Sequence, residues 1–192
     1  MKARKSILAG LCVALSFLAF MALASQPIAP VRHVDLSRYM GRWYVIAFIP
    51  TSYGKDAYNM VETYRLRKSG QVCTSLWFRD GGFDGEIKRK NSLSDVVEGS
   101  DNAVWKVHVF WFIHAQYIAA WLAPDYSQVI VARDKRDYVW FMARRPQVSA
   151  ADYRAMVRRV KAMGYDVSKL QRVPQKWTPS ELASTTFEQS CD

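Results

Sequence analysis

Cysteine and histidine are scarce, with three of each in 192 residues. His33, His108 and His114 lack the spacing of a metal-ligand set. In the alternating stretch around it, His108 also falls opposite the apolar side chains. Neither a metal nor any other cofactor is therefore expected. No glycine-rich loop follows a strand and opens a helix, which argues against a phosphate or nucleotide site. Internal repeats and low-complexity stretches are missing too. Basic residues outnumber acidic ones 27 to 17, yet they are spread along the chain. Their mild cluster, Arg154, Arg158, Arg159 and Lys161, reads as a solvated helix face compatible with anionic membrane surfaces, and no nucleic-acid partner is implied.

The N-terminus carries the three parts of a secretory signal. Lys2, Arg4 and Lys5 precede an uncharged apolar run from Ile7 to Leu23, and Ala22-Leu23-Ala24 supplies small residues at a cleavage site before Ser25. The run is nearly long enough to be a retained membrane helix, but the small-residue exit favours removal. Lipoprotein processing at Cys12 is disfavoured by Leu11 and by the apolar tail it would strand. Residues 1–24 are thus expected to be a signal peptide, 25–177 one domain, and 178–192 a tail. Three basic residues leave with the signal, so 24 face 17 in the mature chain. The product is expected to be exported to the periplasm, free or associated with the outer membrane.

Only Cys73 and Cys191 survive that cleavage. In an oxidising compartment one disulfide is the economical reading. It would close a long loop and contribute about 4–5 kcal/mol by chain-entropy arguments. Two free thiols remain compatible with the sequence.

From Gly41 to Arg145 the chain reads as short β segments between polar turns: 43–49, 60–67, 72–79, 84–90, 104–109, 117–123, 129–133 and 138–144. Eight strands at regular spacing suggest an all-β sandwich or an up-and-down barrel. After Ser149, a plausible N-cap, the period changes. Tyr153, Met156, Val157, Val160 and Met163 recur at helical spacing up to a stop at Gly164. Within strands, Trp105, Val107 and Val109 share one face, as do Trp140, Met142 and Arg144, while Val139, Phe141 and Ala143 share the other. The last strand is apolar on both faces, as a strand is when one face lines an interior and the other receives a helix.

Gly41-Arg42-Trp43-Tyr44, preceded by Val34-Asp35-Leu36 and Tyr39, resembles the Gly-x-Trp block that opens lipocalins. Pro124-Asp125-Tyr126 resembles the family's Thr-Asp-Tyr turn, and Arg144 stands where its invariant arginine ends the last strand. The likeness runs from about Val34 to Lys176. With Asp137-Tyr138-Val139-Trp140 and Asp166-Val167-Ser168-Lys169-Leu170, it is closest to bacterial outer-membrane lipocalins and apolipoprotein D. It implies an eight-stranded antiparallel up-and-down β-barrel, the lipocalin calyx, with one C-terminal α-helix packed outside. It also implies that Gly41, Trp43, Asp125, Tyr126 and Arg144 are structural, with Trp43 and Arg144 as a cation-π pair at the barrel floor. Two departures stand out. Pro124 removes the hydroxyl of the turn, and no cysteine lies in the 53–59 loop. The family's strand-to-tail disulfide is matched by Cys73 and Cys191.

The resemblance implies a carrier, without catalytic residues, that holds a fatty acid, lysophospholipid or phospholipid in the cavity for lipid storage or transport. By alternation the wall would include Val45, Tyr64, Trp105, Val107, Val109, Tyr117, Trp121, Trp140 and Met142, with Tyr64, Tyr117 or a loop arginine setting headgroup preference. Phe110, Trp111, Phe112 and Ile113 would ring the mouth, where four large apolar residues are costly to expose. They are candidates for membrane contact, for folding into the pocket, or for pairing with a second copy; monomer and homodimer both remain open. An enzyme using the calyx, with Cys73 as nucleophile, and a haem or tetrapyrrole carrier are the alternatives.

Overall fold

The computed structural model describes residues 26–50, 53–110 and 112–183. Eight antiparallel strands follow one another around a closed barrel: β1 (Gly41–Phe48), β2 (Ala57–Leu66), β3 (Val72–Asp80), β4 (Glu86–Val96), β5 (Val104–Phe110), β6 (Ile113–Leu122), β7 (Gln128–Ala132) and β8 (Val139–Ala143). Each pairs with the next, and β1 closes the ring against both β8 and β2. Strands β4 and β6 are longer than their composition suggests. Lys88, Lys90, Ser92 and Ser94 occupy every second position of β4, which lowers its apolar signal although the ladder to β3 is continuous from Val72↔Ser94 to Asp80↔Glu86.

Closure leaves two apolar clusters, one on each face of the sheet. The inner one holds Trp43, Val45, Tyr64, Trp105, Tyr117, Trp140 and Met142. The outer one holds Tyr44, Ile46, Ile118, Ile130, Phe141 and Ala143, with Met156 and Val160 from helix α2 (Ala150–Ala162). The helix begins where the sequence predicts it. Ser149 Oγ accepts the Asp152 amide at 3.0 Å, and Gly164 turns the chain at φ +86° after Met163.

The β1–β2 seam is only half zipped. The β1–β2 register extends from Gly41↔Tyr64 to Tyr44↔Val61, after which a short strand, β9 (Gln171–Arg172), takes the edge of β1. Gln175 Nε2 donates to the carbonyls of Val45 and Met60, at 2.8 and 3.1 Å. Asn59 both donates to the Lys176 carbonyl and accepts its amide, at 2.7 Å each. The chain after the helix is thereby stitched into the gap, and Val173 joins the inner cluster. Nothing in the local sequence of 171–176 announces this role.

A candidate ligand site on the inner face of the barrel

The floor is built first. A one-turn helix, α1 (Leu36–Tyr39), is capped by Asp35 and crosses the barrel end from which β1 departs. Tyr126 Oη accepts the Asp35 amide at 2.9 Å, Asn102 Nδ2 donates to the Val34 carbonyl at 3.0 Å, and Arg38 stacks over Tyr126 at 4.0 Å. Two hairpin turns thus clamp the plug. Pro124 contributes its carbonyl, which accepts from Arg38 at 3.2 Å. Asp125 closes its own turn by accepting the Ser127 amide and hydroxyl at 3.0 and 2.7 Å.

Trp43 is fully buried on this floor, and its indole donates to the Tyr39 carbonyl at 2.9 Å. Arg144 lies 3.8 Å from the ring centroid, and its guanidinium donates to the carbonyls of Arg38, Tyr39, Met40 and Arg42 at 2.7–3.0 Å. Burial lowers its pKa to about 10, so it stays charged at neutral pH. It caps the carbonyls that α1 leaves without partners.

Above the floor the rings pack closely. Trp105 stacks on Tyr117 at 4.3 Å, and Tyr39, Tyr64 and Trp105 lie within 5.7 Å of one another. Their hydroxyls form a chain. Tyr39 Oη meets Tyr117 Oη at 2.7 Å, Tyr117 donates to Tyr64 at 3.0 Å, and Tyr64 donates to Glu62 Oε2. Glu62 is 7% exposed, and burial pushes its pKa up to about 8 despite the tyrosine bond. The sequence reading missed this acid. Met60, Glu62 and Tyr64 share the inner face of β2, but a lone glutamate in a strand is ordinarily a solvent-facing residue.

Higher on the wall the Trp140 indole N–H and the Ser94 hydroxyl are buried with no hydrogen-bond partner. Ser94 is opposite Val72 and Val107, both of the inner cluster or packed on it, so it faces inward. Lys88 and Lys90 are on the same face of β4, opposite Phe78 and Leu76, and bring two cations to the open end. Lys88 pairs with Glu86 at 2.6 Å, and the Lys90 ammonium lies 5.7 Å from the Tyr53 ring.

Of the residues assigned to the wall from alternation, Val45, Tyr64, Trp105, Tyr117, Trp140 and Met142 belong to the inner cluster, and Val107 packs against it. Val109 is half-buried beside a register shift between His108 and Phe110 and lies outside that cluster. Trp121 is a correction. It packs on the outer cluster, with Arg159 of α2 at 4.3 Å over its ring. The cause is a bulge in β6: Ala119 is opposite Val131 but Trp121 is opposite Ile130, so Ala120 is the extra residue and every later side chain changes face. Leu122 then takes the inner position. Phe112 and Ile113 are 65% and 44% exposed at the β5–β6 turn, while Trp111 and the side chain of Phe110 lie outside the described residues, as do Cys12 and Cys191.

Residues 34–175 match the lipocalin-like domain family. The chain is a lipocalin. Temperature-induced lipocalin-1 of Arabidopsis thaliana is 30% identical over 159 residues, covering 79% of this chain and 84% of the relative. Outer membrane lipoprotein Blc of Vibrio cholerae is 25% identical, covering 79% and 88%, and apolipoprotein D of Bos taurus is 31% identical, covering 65% and 68%. Among solved structures, insecticyanin from Manduca sexta superposes with a TM-score of 0.59 at 14% identity, covering 81% of this lipocalin and 87% of that chain. That last likeness concerns the fold alone. As a lipocalin the chain belongs to proteins that bind small hydrophobic ligands.

Proposed function

We propose that this lipocalin carries an acyl lipid, a fatty acid, lysophospholipid or phospholipid, with the chain against the inner face and the head at the open end. The observation that carries this reading is the asymmetry of the inner face: sealed by Trp43 and Arg144 at one end, lined mainly by apolar and aromatic side chains, and rimmed by Lys88 and Lys90 at the other. Apolar burial at about 25 cal/mol per Å² supplies the drive, and the lysines favour a phosphate or carboxylate. Transport or storage during membrane maintenance suits relatives named as outer membrane lipoproteins, which also favour export. Cys73 is disulfide-bonded, which supports pairing with Cys191 and takes away the thiol that an enzyme reading would need.

Native mass spectrometry of detergent-free protein should release a lipid, and added lysophospholipid should quench the inner-face tryptophans Trp105 and Trp140. Lys88→Gln with Lys90→Gln should weaken the fatty-acid anion several-fold, since each exposed charge is worth up to about 1 kcal/mol. An empty protein with unchanged fluorescence would mean that side chains fill the barrel, and lipid carriage would fail.

The apolar β5–β6 turn at the mouth serves as a membrane-docking lip in this reading, so that lipid passes directly between bilayer and barrel. Changing Trp111 and Phe112 to serine should weaken vesicle binding while leaving lysophospholipid uptake in place. Equal vesicle binding by the variant would remove the lip from the mechanism.

A further inference from the structure

Glu62 stands out because the proton bookkeeping around it does not close. Each tyrosine has one hydroxyl proton. Tyr64 commits its proton to Glu62 Oε2 and Tyr117 commits its own to Tyr64, so Tyr39 is left to donate to Tyr117. The chain therefore runs one way and ends on one carboxyl oxygen. The other, Oε1, has no hydrogen-bond partner among the described residues.

The surroundings decide its protonation. Tyr39 comes from α1, Tyr117 from β6 and Tyr64 from β2 itself, all buried, while the half-buried Tyr138 comes from the approach to β8; desolvation holds all four hydroxyls protonated. Around them Trp43, Trp105 and Met142 offer no charge. The nearby cation, Arg144, is committed to four carbonyls and the face of Trp43. A carboxylate would thus stand in an apolar lumen without a counter-ion, whereas a carboxylic acid does not incur that cost. With Oε2 engaged by the Tyr64 hydroxyl, the acid's proton is assigned to Oε1, the oxygen without a partner among the described residues.

We infer that Glu62 is a neutral hydrogen-bond donor whose missing acceptor is an oxygen on the ligand, so that the barrel selects lipids carrying a carbonyl or ether oxygen near their buried end over plain alkyl chains. This rests on the lipid-carrier reading and sharpens it. A plain methyl terminus would leave the acid unpaired, and a site built to hydrogen-bond an oxygen discriminates strongly against the analogue lacking it.

The test compares hexadecanoic acid with 15-oxohexadecanoic acid, which differ only by an acceptor-only ketone near the tail, by tryptophan-fluorescence titration at pH 6.5 and pH 9. A featureless apolar barrel favours hexadecanoic acid, because the ketone must be stripped of water. Here the keto acid should bind at least as tightly at pH 6.5, and its relative affinity should fall about tenfold at pH 9 as Glu62 ionises. Glu62→Gln, which keeps both an acceptor and an N–H donor, should retain the keto preference at both pH values. Glu62→Met should favour hexadecanoic acid at both. Wild-type protein that favours hexadecanoic acid at pH 6.5 as strongly as Glu62→Met does would overturn the inference and leave lipid carriage standing. Failure of both acids to bind the wild type would overturn both.

Discussion

Trp43→Ala is expected to lower unfolding stability by about 3–5 kcal/mol, the range for truncating a fully buried large aromatic. The side chain is enclosed by Tyr39 at 5.2 Å and by Arg144 at 3.8 Å, and its indole nitrogen ties β1 to α1. Arg144→Met should cost about 2–3 kcal/mol, because it removes the charged donor shared by four carbonyls at the floor. The two effects should not add. Each variant already forfeits the cation-π contact, worth about 0.5–2 kcal/mol, so the double variant should cost less than the sum of the two by that amount. Salt should change little, since the partners of Arg144 are carbonyls and a ring rather than an anion. Guanidinium unfolding followed by circular dichroism reads all of this. Variants within 1 kcal/mol of wild type would mean that the plug is ornamental and that the barrel closes without it.

Between about pH 4.5 and pH 8 the stability contribution of Glu62 should fall as pH rises, the reverse of a paired carboxylate. The folded protein holds this proton up to about pH 8, while the unfolded chain releases it near the ordinary value of 4.5. Unfolding across that window releases a proton, so rising pH favours the unfolded state, by about 3 kcal/mol in total at pH 7. Below pH 4.5 the contribution is fully present, and above pH 8 the loss levels off. Surface carboxylates, the half-buried Asp35 and the exposed Asp125 and Asp166, act in the opposite sense, because hydrogen bonds to neighbouring serines lower their pKa values. They cancel when wild type is compared with Glu62→Gln. The melting-temperature advantage of Glu62→Gln should widen from pH 5 to pH 8, and a constant gap would show that Glu62 is ionised in the folded barrel. Ligand handling connects to the same proton, since an acid that donates to a lipid oxygen at neutral pH loses that ability as it ionises.

Much of the frame was legible. Ser149 and Gly164 mark the helix ends because capping is a local matter of one hydroxyl and one left-handed turn. The two faces of β8 are legible because five residues without a bulge keep strict alternation: Trp140 and Met142 inward, Val139, Phe141 and Ala143 outward. Where a bulge intervenes the same logic fails. Trp121 is on the wrong face for its parity, and in β1 Ile46 and Ala47 both face outward across a register shift. A bulge is set by how much each strand must bend to close the barrel, which its own residues encode only weakly.

The candidate site divides along the same line. Sequence by itself determined the signature floor, the apolar character of the inner strand faces and the position of the outer helix, because each rests on residues within one element or on a motif of fixed spacing. Only the tertiary structure decided that Glu62 is buried, that three tyrosines from α1, β2 and β6 link to it through their hydroxyls, and that residues 171–176 stitch the β1–β2 seam. The long-range bonds among them join groups separated by 53 to 130 positions in the chain. Their meeting is fixed by the closure of the barrel and the shear of its strands, a global condition that no local pattern carries.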